Sequence, residues 1–200
     1  PISHEDDADR AVRAAIKMIN ELEAWNRKRR EEGRLTLDMG IGLNTDSVIS
    51  GNIGSPKRMD YTLIGDGVNL AARLESACKQ YHARILISEY TFKRLRGTYR
   101  IREIDKVVVK GKTEPVCVFE VLDYHTEDTF PNLMSAVNHF NEGLSLYRKG
   151  EWVASMEAFG EALRLNPNDM LTGMYLERCE FLKNNPPEGE WDGIWKMTSK

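Results

Sequence analysis

Asn69 and Arg73 lie four residues apart in the run Leu-Ile-Gly-Asp-Gly-Val-Asn-Leu-Ala-Ala-Arg, which ends at Arg73. That run reads as a strand turning into a helix at Gly65-Asp66-Gly67. An i, i+4 spacing stacks both side chains on one helix face, with Cβ atoms roughly 5 to 6 Å apart. An amide and a guanidinium so placed near a helix N-terminus make a fork of fixed donors, which suits a phosphate or another developing anionic oxygen. The same spacing also describes an ordinary solvated helix face, so the pair alone leaves both readings open. The glycines do not decide between them, because neither a Walker A loop nor a G-x-G-x-x-G motif stands between strand and helix. Gly65 and Gly67 read as residues of a tight turn.

The elements that must position this pair follow from periodicity. Over residues 6 to 29 the apolar positions Ala8, Val12, Ala15, Ile16, Ile19 and Leu22 recur at the helical interval, which predicts an amphipathic helix ended by Glu31, Glu32 and Gly33. Leu35, Leu37, Met39, Ile41 and Leu43 then alternate, as in a half-buried strand. Val48 and Ile49 precede the turn formers Gly51, Asn52 and Gly54, so these two segments are expected to form a hairpin. Residues 60 to 64 form a third strand, and the helix after it carries Leu70, Leu74, Ala77, Cys78 and Tyr81 on one face. A buried strand at 85 to 87, a short helix at 89 to 95 and β-rich stretches at 99 to 110 and 116 to 121 complete the series. This order predicts an α+β sandwich with a mixed sheet over residues 1 to 123.

Residues 124 to 132 are polar and serve as a linker, and the composition after them is helical. Gly143, Trp152, Phe159, Ala162 and Pro167 stand at the mutual offsets of a tetratricopeptide unit, so residues 133 to 200 are expected to form an α-helical, tetratricopeptide-like segment. A further helix at about residue 170 to 182 reads as half of another repeat. One such unit cannot bury its own apolar face. It should therefore pack on the preceding domain or on a peptide or protein partner, with Trp191 and Trp195 capping part of the bare face.

Composition narrows the function classes. The chain has 200 residues, 41% hydrophobic and 30% charged, and a formal net charge of −3. That is a globular composition without the clustered basic excess that nucleic acid or an anionic membrane would require. Cys78, Cys117 and Cys179 are odd in number and widely spaced, as free thiols in a reducing, cytoplasmic setting would be. Cys78 and Cys117 read as core residues. No apolar run approaches the roughly 20 residues that span a bilayer.

Four stretches carry a resemblance: Met39-Gly-Ile-Gly-Leu-Asn-Thr45, Gly51-Asn-Ile-Gly-Ser55, the run from Asp60 to Ser76, and Val109-Lys-Gly-Lys112. Together they resemble the class III adenylate/guanylate cyclase catalytic domain, most of all a bacterial branch in which a sensor and membrane helices precede the cyclase. The resemblance covers residues 1 to 123. It implies a ferredoxin-like core, a homodimer with sites at the interface, and closure of a nucleoside triphosphate to the 3′,5′-cyclic monophosphate with loss of pyrophosphate. By position, Asn69 would orient the ribose and Arg73 would stabilise charge at phosphorus, Thr62 would read the purine edge, and Lys110 would hold the terminal phosphates. Thr at that place tilts the substrate towards ATP, with a guanylate cyclase as the alternative.

The resemblance also has departures. Family members carry His or Asn at position 44 and Gly two residues later, whereas this chain has Asn44 and then Asp46, an acid expected at a hairpin tip. The family binds two Mg²⁺ or Mn²⁺ ions through two aspartates on elements that precede the first helix of this chain. Those ligands are expected in an upstream segment or on a partner chain, so the domain reads as incomplete at its N-terminus. Asp6, Asp7 and Asp9 read as acids favoured by a helix N-terminus rather than as ligands, and His82 and His139 have no partner at ligand spacing. By itself the chain is expected not to cyclise ATP or GTP. A non-catalytic dimerisation module is the reading from a different class.

Overall fold

The computed structural model describes residues 2–55, 58–107 and 115–195. It comprises two compact units, Pro1–Ile104 with Val108–Tyr124, and Asp105–Val107 with His125–Lys200.

The first unit begins with α1 (Asp7–Glu31), whose buried Val12, Ala15 and Ile19 repeat at three and four residues and meet Ile85, Ile87 and Val121 in one core cluster. Burying each Val or Ile there contributes about 1.5–3 kcal/mol. The mixed sheet has the order β1 (Ile41–Leu43), β4 (Ile85–Ser88), β6 (Val116–Val121), β5 (Ile101–Val107). Strand β1 runs parallel to β4, and β4 antiparallel to β6. Between β1 and β4 the chain forms a separate antiparallel ribbon of β2 (Ile49–Ser55) and β3 (Arg58–Ile64), then α2 (Asp66–Gln80). The short α3 (Glu89–Phe92) follows β4, with Ser88 Oγ accepting from the Thr91 N–H as its N-cap. A buried ion pair, Arg102 Nε to Glu120 at 2.8 Å, joins β5 to β6.

The alternation of residues 35 to 43 misleads in part. Only Ile41–Leu43 is strand, while Leu35 and Leu37 are exposed. The reason is local. The side chain of Asn26, buried on α1, donates to Leu37 O at 2.7 Å and accepts from Leu37 N–H at 2.9 Å, supplying the two hydrogen bonds that a neighbouring strand would otherwise give. The expected hairpin is also different. Gly51, Asn52 and Gly54 lie inside β2, whose partner is β3, and β1 pairs with β4. The helix expected at 89 to 95 ends at Phe92.

Helix α2 buries Leu70, Leu74 and Cys78 against β1. A Cβ on Gly42 would lie 2.3 Å from both Ala71 O and Glu75 N, so only glycine lets the helix backbone rest on the strand. Burial pushes the Cys78 thiol up to about 11, and it serves as an apolar filler.

In the second unit α4 (Leu133–Arg148), α5 (Trp152–Leu165) and α6 (Met170–Asn184) bury Phe140, Tyr147, Phe159 and Tyr175. Gly143 admits the Phe159 ring, which would stand 2.6 Å from a Cβ there. Helix α6 supplies apolar cover within the unit, and Trp191 closes one end, 5.5 Å from the Tyr147 ring and 5.1 Å from that of Trp152. No helix among the described residues is long and apolar enough to cross a membrane.

Asp9, almost fully buried, pins α1 to the turn after α3. It accepts from Gly97 N–H at 2.8 Å, Tyr99 OH at 2.9 Å and Arg96 N–H at 3.0 Å. Burial alone would raise its carboxyl, and these three donors more than offset that, holding it below the usual carboxylate range. A depressed folded value contributes stability that is present above about pH 4 and is lost as pH falls through the folded value. Asp9→Asn should therefore cost about 1–3 kcal/mol at pH 7. In denaturant titrations the gap to the parent chain should narrow as pH falls below about 4, and a gap undiminished at low pH would contradict this account.

Candidate functional site

The first turns of α2 put Asn69 and Arg73 on its solvent side because Leu70 and Leu74 occupy the side facing β1. Both side chains are exposed, and together with Ala72, Ser76, Ala77 and Gln80 they line one shallow groove of about 470 Å³. The small residues keep the helix surface low between the two polar heads. Neither the Asn69 amide nor the Arg73 guanidinium is engaged by another side chain among the described residues, so their donors are available to a ligand. Two larger clefts lie elsewhere on the unit, one by Asp46 and Arg96, the other by Glu75 and Arg84, and neither contains the pair.

The start of α2 is held from outside the helix. Its N-cap, Gly65, offers no side-chain bond, and the Val68 and Asn69 N–H groups donate to Gly65 O at 3.1 and 3.4 Å. Asn44 Nδ2 donates to Gly67 O at 3.0 Å, and Asn44 Oδ1 accepts from Ser88 Oγ at 2.6 Å. Gly67 is buried and helical, and a Cβ on it would stand 2.5 Å from the Cβ of Asp46. Its reason for being glycine is therefore close approach rather than the turn that spacing suggests, and Gly65, at φ 154°, carries the turn. Asp46 is not at a hairpin tip. It follows β1, lies against α2 and accepts from Ser47 N–H at 2.8 Å.

Of the other expected site residues, Thr62 lies apart from the pair. Thr62 is exposed on β3, opposite Gly51 across the ribbon, and does not line the groove of Asn69 and Arg73. A Cβ on Gly51 would meet nothing within 4 Å, so Thr62 has open space beside it. Lys110 lies outside the described residues. No group of three His, Cys, Asp or Glu that could hold a metal ion occurs among the described residues, and Asp9 is spent on its backbone and tyrosine donors. Sequence alone missed the Asn44 clamp, although Asn44 stood out by position.

Known proteins similar to this chain fall in one family. The family pattern of the adenylate and guanylate cyclase catalytic domain matches residues 2–121. A terminal-differentiation specific adenylate cyclase of Dictyostelium discoideum is 36% identical over 173 residues, covering 84% of this chain and 8% of its own. That share exceeds the first unit, so the likeness runs on into the helices. An adenylate cyclase of Anabaena cylindrica is 38% identical over 122 residues, covering 58% of this chain and 24% of its own. The chain thus spans a quarter or less of these two curated relatives. Among solved structures, the adenylyl cyclase CyaB from P. aeruginosa superposes with TM-score 0.52 at 34% identity, and the guanylyl cyclase Cya2 with TM-score 0.53 at 37%. Each covers 60% of this chain and is covered to 60%.

The Gly67–Asp46 contact can be tested by a sign change. Alanine is favoured over glycine in a helix by about 1 kcal/mol, but the Cβ clash at 2.5 Å should outweigh that gain and make Gly67→Ala destabilising by about 1–3 kcal/mol. With Asp46→Gly in the background only the looser approach to Asn44 Nδ2, at 3.2 Å, remains, and thermal melts should show Gly67→Ala recovering most of the loss. Equal losses in both backgrounds would mean that Asp46 does not confine Gly67.

Proposed function

The chain belongs to the adenylate and guanylate cyclase catalytic-domain family, and we propose that it contributes the Asn69 and Arg73 half of a shared site where ATP is closed to 3′,5′-cyclic AMP. In this reaction the ribose 3′-oxygen loses its proton and bonds to the α-phosphorus, while the bond from that phosphorus to the bridging oxygen breaks and pyrophosphate leaves. Such chemistry depends on positioning and on anion stabilisation more than on covalent help from the protein. Asn69 orients the ribose. Arg73, charged at any working pH, stabilises the negative charge gathering at phosphorus. The observation that carries this assignment is that both side chains are uncommitted among the described residues and project from one helix face over one groove.

Thr62 meets the purine edge and favours ATP, in keeping with the two curated relatives, both named adenylate cyclases. Lys110 holds the terminal phosphates. The family uses a divalent metal, and the described residues of this chain do not fit one. No step assigned to this chain runs through the metal, and its ligands belong to the opposing half of the site.

The ribbon supports a homodimer as the setting. Tyr61 is 63% exposed, Met59 58% and Leu63 49% on one face, and Ile49 73% on the other. A two-stranded ribbon is marginal alone in water, so these apolar side chains call for cover from a second chain.

Two measurements test the proposal. The 200-residue chain alone should form no metal-dependent cyclic AMP or cyclic GMP above a no-protein blank. Mixed with a class III cyclase that keeps its metal ligands but lacks its arginine, it should restore cyclic AMP formation about 10²-fold over that enzyme alone, and Asn69→Ala or Arg73→Ala should abolish the gain. Restoration that ignores both substitutions would overturn the assignment, and restoration with GTP only would move the substrate to guanine. In sedimentation velocity the chain should self-associate, with Leu63→Asp monomeric and Arg73→Ala still associating. Dimers in Leu63→Asp would remove the ribbon from the interface.

A further inference from the structure

We infer that Asn44 is a positioning residue for the nucleotide-facing pair, locking the first turn of α2 to the end of β1 and to Ser88. It rests on the role proposed above for Asn69 and Arg73.

Asn44 is the first residue after β1, and it spends both ends of its amide at once. Nδ2 donates to Gly67 O at 3.0 Å and Oδ1 accepts from Ser88 Oγ at 2.6 Å. The orientation of the amide is fixed chemically, because a backbone carbonyl can only accept and must face the NH₂ group.

Its partner is anchored in turn. Ser88 Oγ accepts from Thr91 N–H at 3.2 Å, while Thr91 Oγ1 donates to Leu43 O at 3.3 Å and lies 3.1 Å from Thr45 Oγ1. Ser88 and Thr91 are 0% and 1% exposed and Asn44 and Thr45 half-buried, so this polar ring is buried on one side and returns to the residue before Asn44. Such a ring is stiff when every member is satisfied.

What makes the ring bear on the site is its bond to α2. Gly67 shares the first turn of α2 with Asn69, and the helix has no side-chain N-cap of its own. The β1 contact at Gly42 fixes how far α2 stands from the sheet. The Asn44 bond fixes where along its own axis the helix starts, and so where Asn69 and Arg73 are presented. Misplacing a reacting group by about 1 Å can cost about 10²-fold in rate.

Three variants of the full chain separate positioning from plain stability. Asn44→Asp keeps the shape and the acceptor for Ser88 but loses the donor to Gly67 O. Asn44→His restores one N–H donor and one ring nitrogen acceptor in the neutral imidazole. Asp9→Asn destabilises the unit and breaks none of the hydrogen bonds of the ring or of Gly67. Amide exchange followed by NMR should be about tenfold faster at Val68 and Asn69 in Asn44→Asp, with the β4 amides unchanged. In the complementation assay, at equal folded fraction, its kcat should fall tenfold or more. Asn44→His should stay within about threefold of the parent chain in both readouts, and Asp9→Asn should keep its kcat within threefold even if its melting temperature falls as far as that of Asn44→Asp.

Unchanged Val68 and Asn69 exchange in Asn44→Asp would overturn the inference, as would kcat losses that track melting temperature across all three variants. If Asn69→Ala and Arg73→Ala leave complementation intact, the function proposed above fails, and amide exchange still decides whether Asn44 holds α2.

Discussion

The first unit is organised around one backbone-on-backbone contact. With a Cβ on Gly42 placed 2.3 Å from both Ala71 O and Glu75 N, no residue but glycine lets α2 lie on β1 at its observed distance. That contact decides which side of α2 is inside. Leu70, Leu74 and Cys78 fill the seam, and Asn69 and Arg73 are turned to solvent because a 3.6-residue period leaves them no other direction. The groove over Ala72 and Ser76 is thus a by-product of how tightly the opposite side is packed.

Fixing distance does not fix register. A helix resting on a glycine strand could still slide or rotate, and the polar groups around its first turn remove that freedom. Asn44 and Asp46 both come from the loop that leaves β1, and both bear on Gly67. The same strand thus supplies the floor of α2 and the stop at its end. Apolar burial gives the energy here, while a few directed hydrogen bonds give the alignment that the role proposed for Asn69 and Arg73 requires.

Periodicity made much of this legible. The α1 stripe, the buried face of α2, the apolar run of β4 and strand β6, whose bounds match the reading, follow from local spacing alone. The i, i+4 pair was equally visible, since one helix face is a local property. What stayed hidden depends on partners distant in sequence. Residues 35 to 39 alternate like a strand, yet Asn26 on α1 satisfies Leu37 in a strand's place. Alternation also says nothing about which strand pairs with which, so β2 was matched to β1 rather than to β3. The Asn44 bond to Gly67 joins residues 23 apart, and no spacing rule reaches that far.

The openness of the groove bears on what the pair can do. A guanidinium exposed to water acts through a high dielectric, where a charge pair at 4 Å contributes only about 1 kcal/mol, against about 4 kcal/mol at an effective dielectric of 20. In the role proposed for it, an exposed Arg73 would stabilise a transition state only weakly until a second surface excludes water from it. The ribbon of β2 and β3 has the complementary deficiency, an apolar surface with nothing over it among the described residues. If one association covers the ribbon and closes the groove together, burial of Tyr61, Met59 and Leu63 supplies the binding energy, and the drop in dielectric gives Arg73 its strength. In such a site dimerisation and catalysis are one event, because the surface that holds the partners together also dries the charge that does the chemistry.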